Sequence, residues 1–584
     1  MKMRKYNYLI LLISVLSFFS CEKFLEPQRE NTLSEDITLA DRSMAEGILL
    51  TAYIALPNDY YFETDVASDD AITNDINSSY RRMATGEWKS SYDPISIWAS
   101  SYQQIYYINK FMDVCDKVTW AYDYRMTKKE NATRDSLYKN RLLGEAFALR
   151  AWYKAKLLQS HSGKVSDGTL LGFPILDNSI SFSDDWRLPR NTFAECVSSI
   201  FKDADSAIAR LPKTWEDLLT GGANPPINVF KNAIQGAKYE NRINGNIVRA
   251  LKARVALLAA SPSFSASSGV VWDSAAVLAG ALLTDLGPLY VKPATSNNVA
   301  FYKERKNPEM LWNRAVASKR NWEQNNFPPS KYGYGQTNPS QSLVDAFPMN
   351  NGYPITHISS TYNPDNPYIN RDNRFNQYII YNNATLGGTK IFTHSASDLD
   401  GINKTTLSTR TGYYLKKFMV ETINLNPNSP TSADHTYTLV RMTELLLNYA
   451  EAANEAWGPD ADLSGRGYGT ARSKISELRN LAGITTDLYL PTLTTKEEFR
   501  ELIRNERRIS LCFEGFRFWD IRRWGDEVTM TAPVKGVVIH QVDGVDTTYS
   551  YQDVEERKYT TDMIYGPIPY SEILKYSLQQ NNGW

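Results

Sequence analysis

The chain has 584 residues, a formal net charge of −1 and a high aromatic content, with 36 Tyr and 13 Trp. The balanced charge excludes the strongly basic surface that is typical of nucleic-acid-binding proteins. With four cysteines at wide spacing the sequence has no disulfide framework, and we expect Cys115, Cys196 and Cys512 to be buried free thiols.

The N-terminus predicts a lipoprotein signal peptide over residues 1–20. Three basic residues within the first five precede an apolar run over residues 9–19. That run is shorter than the roughly 20 apolar residues of a membrane-spanning helix, and a small residue, Ser20, closes it. Cys21 follows directly, so we predict that it is lipidated, as in bacterial lipoproteins. The alternative is an ordinary secreted protein with an incidental cysteine.

Helical periodicity dominates residues 35–261. Apolar residues from Leu143 to Leu158 recur every three or four positions, which indicates one helical stripe. Thr192 and Glu195 form a capping box at the start of the next helix, and a third helix stops at Ser261. Paired helices with small residues favour a mainly α fold built on a tetratricopeptide-like repeat scaffold.

The amino-acid composition changes between residues 262 and 434, where Pro, Asn, Gly and Tyr dominate. Short strands are predicted here, as over residues 412–419. Long loops on a rigid scaffold usually carry function, so we expect this loop-rich insertion to bind the ligand. Helices return at residues 439–457, 470–481 and 496–511. We therefore predict a single domain over 21–584, with a scaffold at 35–261 and 435–530, the insertion at 262–434, and a polar C-terminal tail at 531–584.

Charged residues alternate with apolar ones between residues 506 and 523. The segment could be mistaken for a catalytic or anion-binding cluster. Because it looks largely buried, and buried charges must be paired, we expect structural ion pairs here.

Several motifs resemble signature segments of the SusD/RagB family. The most specific are RNER at residues 504–507 and FEGFRFWD at residues 513–520, followed by RWG at 523–525. Together the motifs extend in the family's order over nearly the whole mature chain. The remaining similar segments are residues 143–151, 172–175, 343–347, 371–375, 444–452, 567–569 and 580–584.

The resemblance implies a glycan-binding lipoprotein, anchored in the outer membrane and facing the cell surface. Such a protein captures an oligosaccharide or polysaccharide and delivers it to a SusC-like TonB-dependent transporter. One branch of the family implies a peptide ligand instead. A helical glycoside hydrolase and a scaffold lipoprotein without a small ligand are the alternatives from other classes.

The sequence does not predict an enzyme, a cofactor or a metal site. Its five histidines are scattered and match no metal-ligand spacing. Phosphate-binding and nucleophile motifs are missing from the sequence as well. Residues 460–465 begin like a calcium loop, but Ala471 stands where the closing glutamate should be.

Two stretches rich in aromatic and polar residues, 65–98 and 272–353, resemble the regions where family members place their sugar contacts. Aromatic rings can cover the apolar faces of a sugar, while polar neighbours bind its hydroxyls. We expect Trp322, Tyr332 and Tyr334 to be stacking platforms, because Gly333 and Gly335 leave these rings poorly covered. The predicted ligand contacts are Asp70, Asn74, Arg81, Trp88, Trp272, Tyr302, Trp322, Tyr332 and Tyr334.

Overall fold

The computed structural model describes residues 41–60, 64–181, 183–219, 225–287, 298–304, 306–314, 316–542 and 545–584. The predicted signal peptide and Cys21 lie outside these residues. The described helices are α1 (Arg42–Ile54), α2 (Ser79–Arg82), α3 (Trp98–Cys115), α4 (Lys128–His161), α5 (Phe193–Ile208), α6 (Pro225–Gln235), α7 (Gly245–Ala260), α8 (Trp272–Leu286), α9 (Asn321–Asn326), α10 (Gln341–Ala346), α11 (Asn373–Tyr378), α12 (Met442–Trp457), α13 (Ala471–Leu481), α14 (Lys496–Leu511), α15 (Arg517–Trp524), α16 (Glu527–Thr531) and α17 (Tyr570–Ile573). The described strands are β1 (Ala71–Thr73), β2 (Gly163–Lys164), β3 (Leu170–Leu171), β4 (Met310–Asn313), β5 (Ala317–Lys319), β6 (Thr337–Pro339), β7 (Ile379–Ile380), β8 (Thr385–Leu386), β9 (Thr389–Lys390), β10 (Tyr414–Leu415), β11 (Ala433–His435), β12 (Thr438–Arg441), β13 (Val534–Val542) and β14 (Val545–Glu555).

Local sequence signals start the long helices. The predicted capping box of α5 is confirmed, with Thr192 Oγ1 accepting from the backbone N–H of Glu195 while the Glu195 carboxylate accepts from the N–H of Thr192. Thr127 and Thr495 open α4 and α14 in the same way. Each box satisfies backbone donors that the first helical turn leaves unpaired.

The scaffold is a series of helices that pack on their neighbours, and the predicted mainly α, tetratricopeptide-like fold is confirmed. Helix α3 packs on α1 and α4, α5 on α4 and α7, α8 on α7 and α12, and α12 on α13 and α14. Gly280 of α8 permits one close approach, since a Cβ there would lie 2.4 Å from the Tyr468 ring. None of the helices in the described ranges is long and apolar enough to cross a membrane.

Three elements differ from the sequence-based expectation. Helix α8 lies inside the stretch expected to be loop-rich, but its apolar residues belong to the scaffold core. The tail expected to be polar loops instead contains the long antiparallel hairpin β13–β14. The expected strand at residues 412–419 is present only as the two residues of β10.

We call the described part of the loop-rich insertion that follows helix α8 the lobe. It has a hydrophobic core that is separate from that of the scaffold. It contains buried aromatic residues from residue 301 to 418 together with Ile509, which lies in the scaffold helix α14, and Phe513, which comes just after it. Two-stranded ladders join distant segments here, such as β1 with β6 and β4 with β12. Helix α14 therefore links the lobe to the scaffold, because its residue Ile509 belongs to the core of the lobe.

The charged segment around α14 and α15 is buried and ion-paired, as predicted. Glu506 pairs with Arg374 and Arg479, and Arg523 pairs with Glu451 and with Asp520 of α15.

The Glu514 carboxylate accepts from Lys417 Nζ at 2.7 Å and from Arg441 Nε at 2.7 Å. Burial opposes ionisation of Glu514, but Arg441 and Lys417 outweigh it and lower its pKa. One carboxylate thus joins the lobe to the start of α12.

The three cysteines in the described ranges are free and buried, as predicted. Burial raises the pKa of Cys115, Cys196 and Cys512 to about 12 in each case. The reactive thiolate form is therefore scarce at neutral pH.

We expect Glu514→Ala to destabilise the protein by about 3–5 kcal/mol, because it leaves Lys417 buried without its ion-pair partner and leaves Arg441 with Glu309 alone. Chemical denaturation followed by circular dichroism measures the loss. The control is Glu497→Ala, which removes an exposed glutamate 4.0 Å from Arg500 and should cost under about 0.5 kcal/mol. Equal effects of the two variants would contradict the structural role of Glu514.

Candidate ligand-binding site

Two adjoining pockets lie where loops of the lobe meet, with volumes of about 480 and 260 Å³. They share Asp75 and Gln336 in their walls, and we call the two neighbouring pockets together the cleft. Even without the second pocket, the volume of the first pocket falls within the usual size range of ligand pockets, about 300–1,000 Å³. Its lining residues are Asn74, Asp75, Ile76, Arg81, Tyr334, Gln336, Asn403, Thr405, Thr406, Leu407, Ser408 and Arg410. The second is lined by Asp59, Tyr60, Val66, Thr73, Asp75, Ser78, Ser79, Tyr80, Asn321, Trp322, Asn325, Asn326, Gln336 and Thr337.

The ladder between β1 and β6 brings two of these loops together. Thr73 stands opposite Thr337 in an antiparallel register, so Asn74 and Gln336 leave the ladder at the same end. Asn74 Nδ2 donates to the carbonyl oxygens of Tyr334 at 2.9 Å and of Ser408 at 3.4 Å. A single amide therefore connects all three loops that form the first pocket.

Glycines set the spacing between the loops. Gly335 has a φ of +54°, and a Cβ there would lie 2.4 Å from the carbonyl oxygen of Leu407. A Cβ on Gly333 would lie 2.1 Å from the carbonyl oxygen of Phe327. These glycines are needed for close backbone contact, a reason different from the ring exposure that the sequence suggested.

Three predicted contacts, Asn74, Arg81 and Tyr334, come together in the first pocket. Tyr334 is 42 % exposed and forms part of the pocket wall. Tyr332 is 53 % exposed but lines neither pocket. The sequence predicts the same role for both tyrosines, but only Tyr334 lies in a pocket wall.

Trp322 lies in the wall of the second pocket but is only 2 % exposed. Its ring packs edge-on against Tyr60, Phe418 and His435, and Lys319 Nζ lies 4.6 Å from the ring centre. A ring surrounded in this way has little free face for a sugar, so Trp322 shapes the pocket wall instead of offering the open platform that was expected.

The other predicted contacts line neither pocket. Asp70 is buried and its Oδ1 accepts from Arg508 Nε at 2.6 Å. Tyr302 is buried in the lobe core, and Trp272 is the first residue of α8, packed against the scaffold. Asp70 is thus part of an ion pair, and Tyr302 and Trp272 pack against hydrophobic cores; none of them lies at the cleft.

Trp88 is also buried, in a small third cluster with Tyr559 and Trp584. Its Nε1 donates to Asp93 Oδ1 at 2.9 Å. Burial raises the pKa of Asp93 to about 6. Ionisation of the Asp93 carboxyl group is therefore less favourable in the folded protein than in the unfolded chain.

The sequence analysis missed Arg410, Gln336 and the loop at residues 403–408. The loop did carry a signal, since a polar run follows Gly401 and is typical of an exposed turn. No local sequence signal identified Arg410. Its position at the pocket depends on a distant residue, Glu555, whose carboxylate Oε2 lies 2.6 Å from Arg410 Nη1. Within the described ranges no cluster of His, Cys, Asp and Glu is arranged to hold a metal ion.

Comparison with known proteins gives consistent results for both halves of the chain. A profile of the SusD family matches residues 302–584, and a profile described as "Starch-binding associating with outer membrane" matches residues 23–223. A SusD-like protein, P38, of Formosa agariphila is 22 % identical, over 90 % of this chain and 93 % of that protein.

Solved structures share the fold. A SusD-like protein of Bacteroides fragilis is 22 % identical and superposes with a TM-score of 0.72, covering 94 % of this chain and 99 % of its own. A SusD-like carbohydrate-binding protein of the same species is 21 % identical, with a TM-score of 0.66 and coverages of 91 % and 98 %.

We expect Gly335→Ala to disturb the first pocket, because the new methyl group would collide with the Leu407 carbonyl oxygen. Hydrogen exchange of residues 327–336 and 399–410 should become faster. Gly465→Ala is the matched control, since Gly465 also has a positive φ, +67°, but no atom lies within 4 Å of its Cβ position. Unchanged exchange in Gly335→Ala would contradict the close contact of the two loops.

We expect Asp93→Asn to change the pH dependence of stability. The pKa of Asp93 rises from an ordinary 3.8 to about 6 on folding, so the folded state binds more protons between those values. The wild type should therefore lose stability relative to the variant as pH rises from about 4 to about 6, by up to about 3 kcal/mol. Urea unfolding across this range measures the difference, and parallel curves would contradict it.

Proposed function

This chain belongs to the SusD/RagB family, and we propose that it is a glycan-binding protein of the bacterial cell surface. It captures an oligosaccharide or polysaccharide and delivers it to a SusC-like TonB-dependent transporter in the outer membrane. The transporter, and not this chain, moves the glycan inward.

The cleft formed by the two pockets is the observation that carries this proposal. Tyr334 offers a partly exposed ring, and Gln336, Asn403 and Thr406 add accessible amide and hydroxyl groups to the lining of the same pocket. A ring that covers an apolar sugar face, with polar groups beside it for the hydroxyls, is the arrangement that saccharide binding requires.

The descriptions of related proteins support the same ligand class and location. One matching family profile is described as starch-binding and associated with the outer membrane, and one structural relative as carbohydrate-binding. Lipidation at Cys21 supplies the membrane anchor in this proposal. An acyl anchor leaves the folded chain outside the bilayer, where large glycans are accessible.

The protein acts in this proposal as a binding protein without catalysis. Hydrolysis of a glycosidic bond normally needs two carboxyl groups that flank the bond, about 5–10 Å apart. Asp75 is the one carboxylate among the described residues that line the first pocket. Asp59 of the second pocket is already paired with Lys319 at 2.9 Å.

We expect Tyr334→Ala to weaken glycan binding about tenfold or more, because truncation of a central aromatic contact typically costs at least 1–2 kcal/mol. Isothermal titration calorimetry on the chain from Glu22 onward measures the change. Tyr122→Ala is the control, since Tyr122 is 72 % exposed but belongs to the loop between α3 and α4. Equal weakening by both variants would place the glycan elsewhere.

The same preparation should be titrated with plant, host and microbial oligosaccharides while released sugar is assayed. Saturable binding without product supports the proposal. Sugar release would identify a glycoside hydrolase. Binding of peptides alone would indicate peptide import, and binding of the transporter alone would indicate a scaffold protein.

A further inference from the structure

Three arginines converge on one carboxylate behind the first pocket. Glu555 stands at the end of β14, and its Oε2 accepts from Arg81 Nε at 3.0 Å and from Arg410 Nη1 at 2.6 Å. Its Oε1 accepts from Arg557 Nη1 at 2.6 Å. Three positive charges thus share one buried negative charge.

The three arginines differ in how many of their donors are in use. Arg557 is buried and also donates to the carbonyl oxygens of Val66, Ser68 and Ala71. Its guanidinium is therefore committed to the fold.

Arg410 is partly committed, because it also donates to the carbonyl oxygens of Thr73 and Val554. Arg81 makes one side-chain hydrogen bond, through Nε to Glu555; its Nη1 is buried without a partner, and its Nη2 makes no hydrogen bond among the described residues. Both side chains line the first pocket and are 18 % and 21 % exposed respectively. Arg81 therefore has donors to spare at the edge of a ligand-sized cavity.

The local charge balance favours an anion in this pocket. Asp75, the lining carboxylate, uses Oδ1 to accept from the N–H of Asn77 at 2.9 Å and forms no ion pair with Arg81 or Arg410 within the described residues. Counting Asp75 and Glu555 against the three arginines leaves one positive charge in excess. A poorly hydrated cation is costly unless a counter-ion offsets it, and guanidinium groups bind planar oxyanions well.

The second pocket has the opposite character. No lysine or arginine is among its described lining residues, which include Asp59 and Asp75 and several amides and hydroxyls. Neutral sugar hydroxyls suit such a wall, whereas a carboxylate or sulfate there would face Asp75 and no lining cation, since Lys319 is paired with Asp59. The arginines that line the cleft are therefore confined to the first pocket.

Resting on the proposed function, we propose that the cleft selects a glycan with anionic groups on some but not all of its residues. The oxyanion, a uronate carboxylate or a sulfate ester, binds at Arg81 and Arg410 in the first pocket. A neutral residue of the same glycan occupies the second pocket. Binding should weaken as salt concentration rises, because the ionic contact is partly exposed.

The test uses calorimetric titration of the full chain in nonionic detergent. One ligand pair is an oligosaccharide of alternating uronate and neutral residues and its carboxyl-reduced form. A second pair is a sulfated neutral oligosaccharide and its desulfated form. We expect one charged ligand to bind about 10- to 100-fold more tightly than its neutral partner, and which pair does so identifies the oxyanion.

Arg81→Gln should weaken binding of the charged ligand much more than binding of its neutral partner, so that most of this preference disappears. The variant should fold, because Glu555 keeps Arg410 and Arg557. Arg81→Lys retains a charge without the planar fork and should bind at an intermediate level. Arg82→Gln is the matched control, since Arg82 follows directly in α2, pairs with Glu87 and lines neither pocket.

Each outcome is decisive. Equal affinity for both members of each pair, or equal loss of charged and neutral binding in Arg81→Gln, overturns the anionic preference but leaves glycan binding intact. A fully charged oligouronate that binds more tightly than the alternating one overturns the assignment of the second pocket. No saccharide binding at all overturns the proposed function together with this inference.

Discussion

Arginines of α14 and α15 hold the buried carboxylates of Asp69 and Asp70, and the position of the candidate site depends on this pairing. Arg508 contacts Asp69 at 2.8 Å and Asp70 at 2.6 Å, and Arg517 contacts Asp69 at 2.8 Å. Burial opposes ionisation of Asp69, but the two arginines outweigh it and lower its pKa. Backbone carbonyl groups of the same two aspartates accept from Ser340, at the end of β6. The scaffold thereby sets the start of the β1–β6 ladder from which the pocket loops emerge.

Packing between helices stabilises the scaffold, whereas contacts between loops stabilise the lobe. Its loops are fixed by amide, carboxylate and glycine contacts, such as Asn74 with Tyr334 and Gly335 with Leu407. Asn74 and Arg410 hold such loops and also line the first pocket, so residues that stabilise the loops are also residues of the candidate site. Arg410 is the clearest case, because it lines the first pocket while its carboxylate partner, Glu555, belongs to the β13–β14 hairpin.

Helix boundaries were largely predictable from local sequence. Helix α14 has the predicted bounds, and the capping box of α5 is where Thr192 and Glu195 indicated. Both signals act over three or four residues, within reach of a single helical turn. Helix α8 was missed because it is apolar and small on most sides, packed between α7 and α12, and so lacks an amphipathic stripe.

The sequence by itself determined the family, the helical scaffold and the general region of the cleft, since each depends on motifs or short-range periodicity. Only the tertiary structure decided which aromatic and charged residues reach the pocket. Trp88 and Trp322 are buried while Tyr334 is exposed, although all three stand in similar polar stretches. The reason is distance along the chain: Asn74 meets Tyr334 across 260 residues, and Arg81 meets Glu555 across 474. No local pattern encodes contacts of that span, because they exist only when the separate core of the lobe has formed.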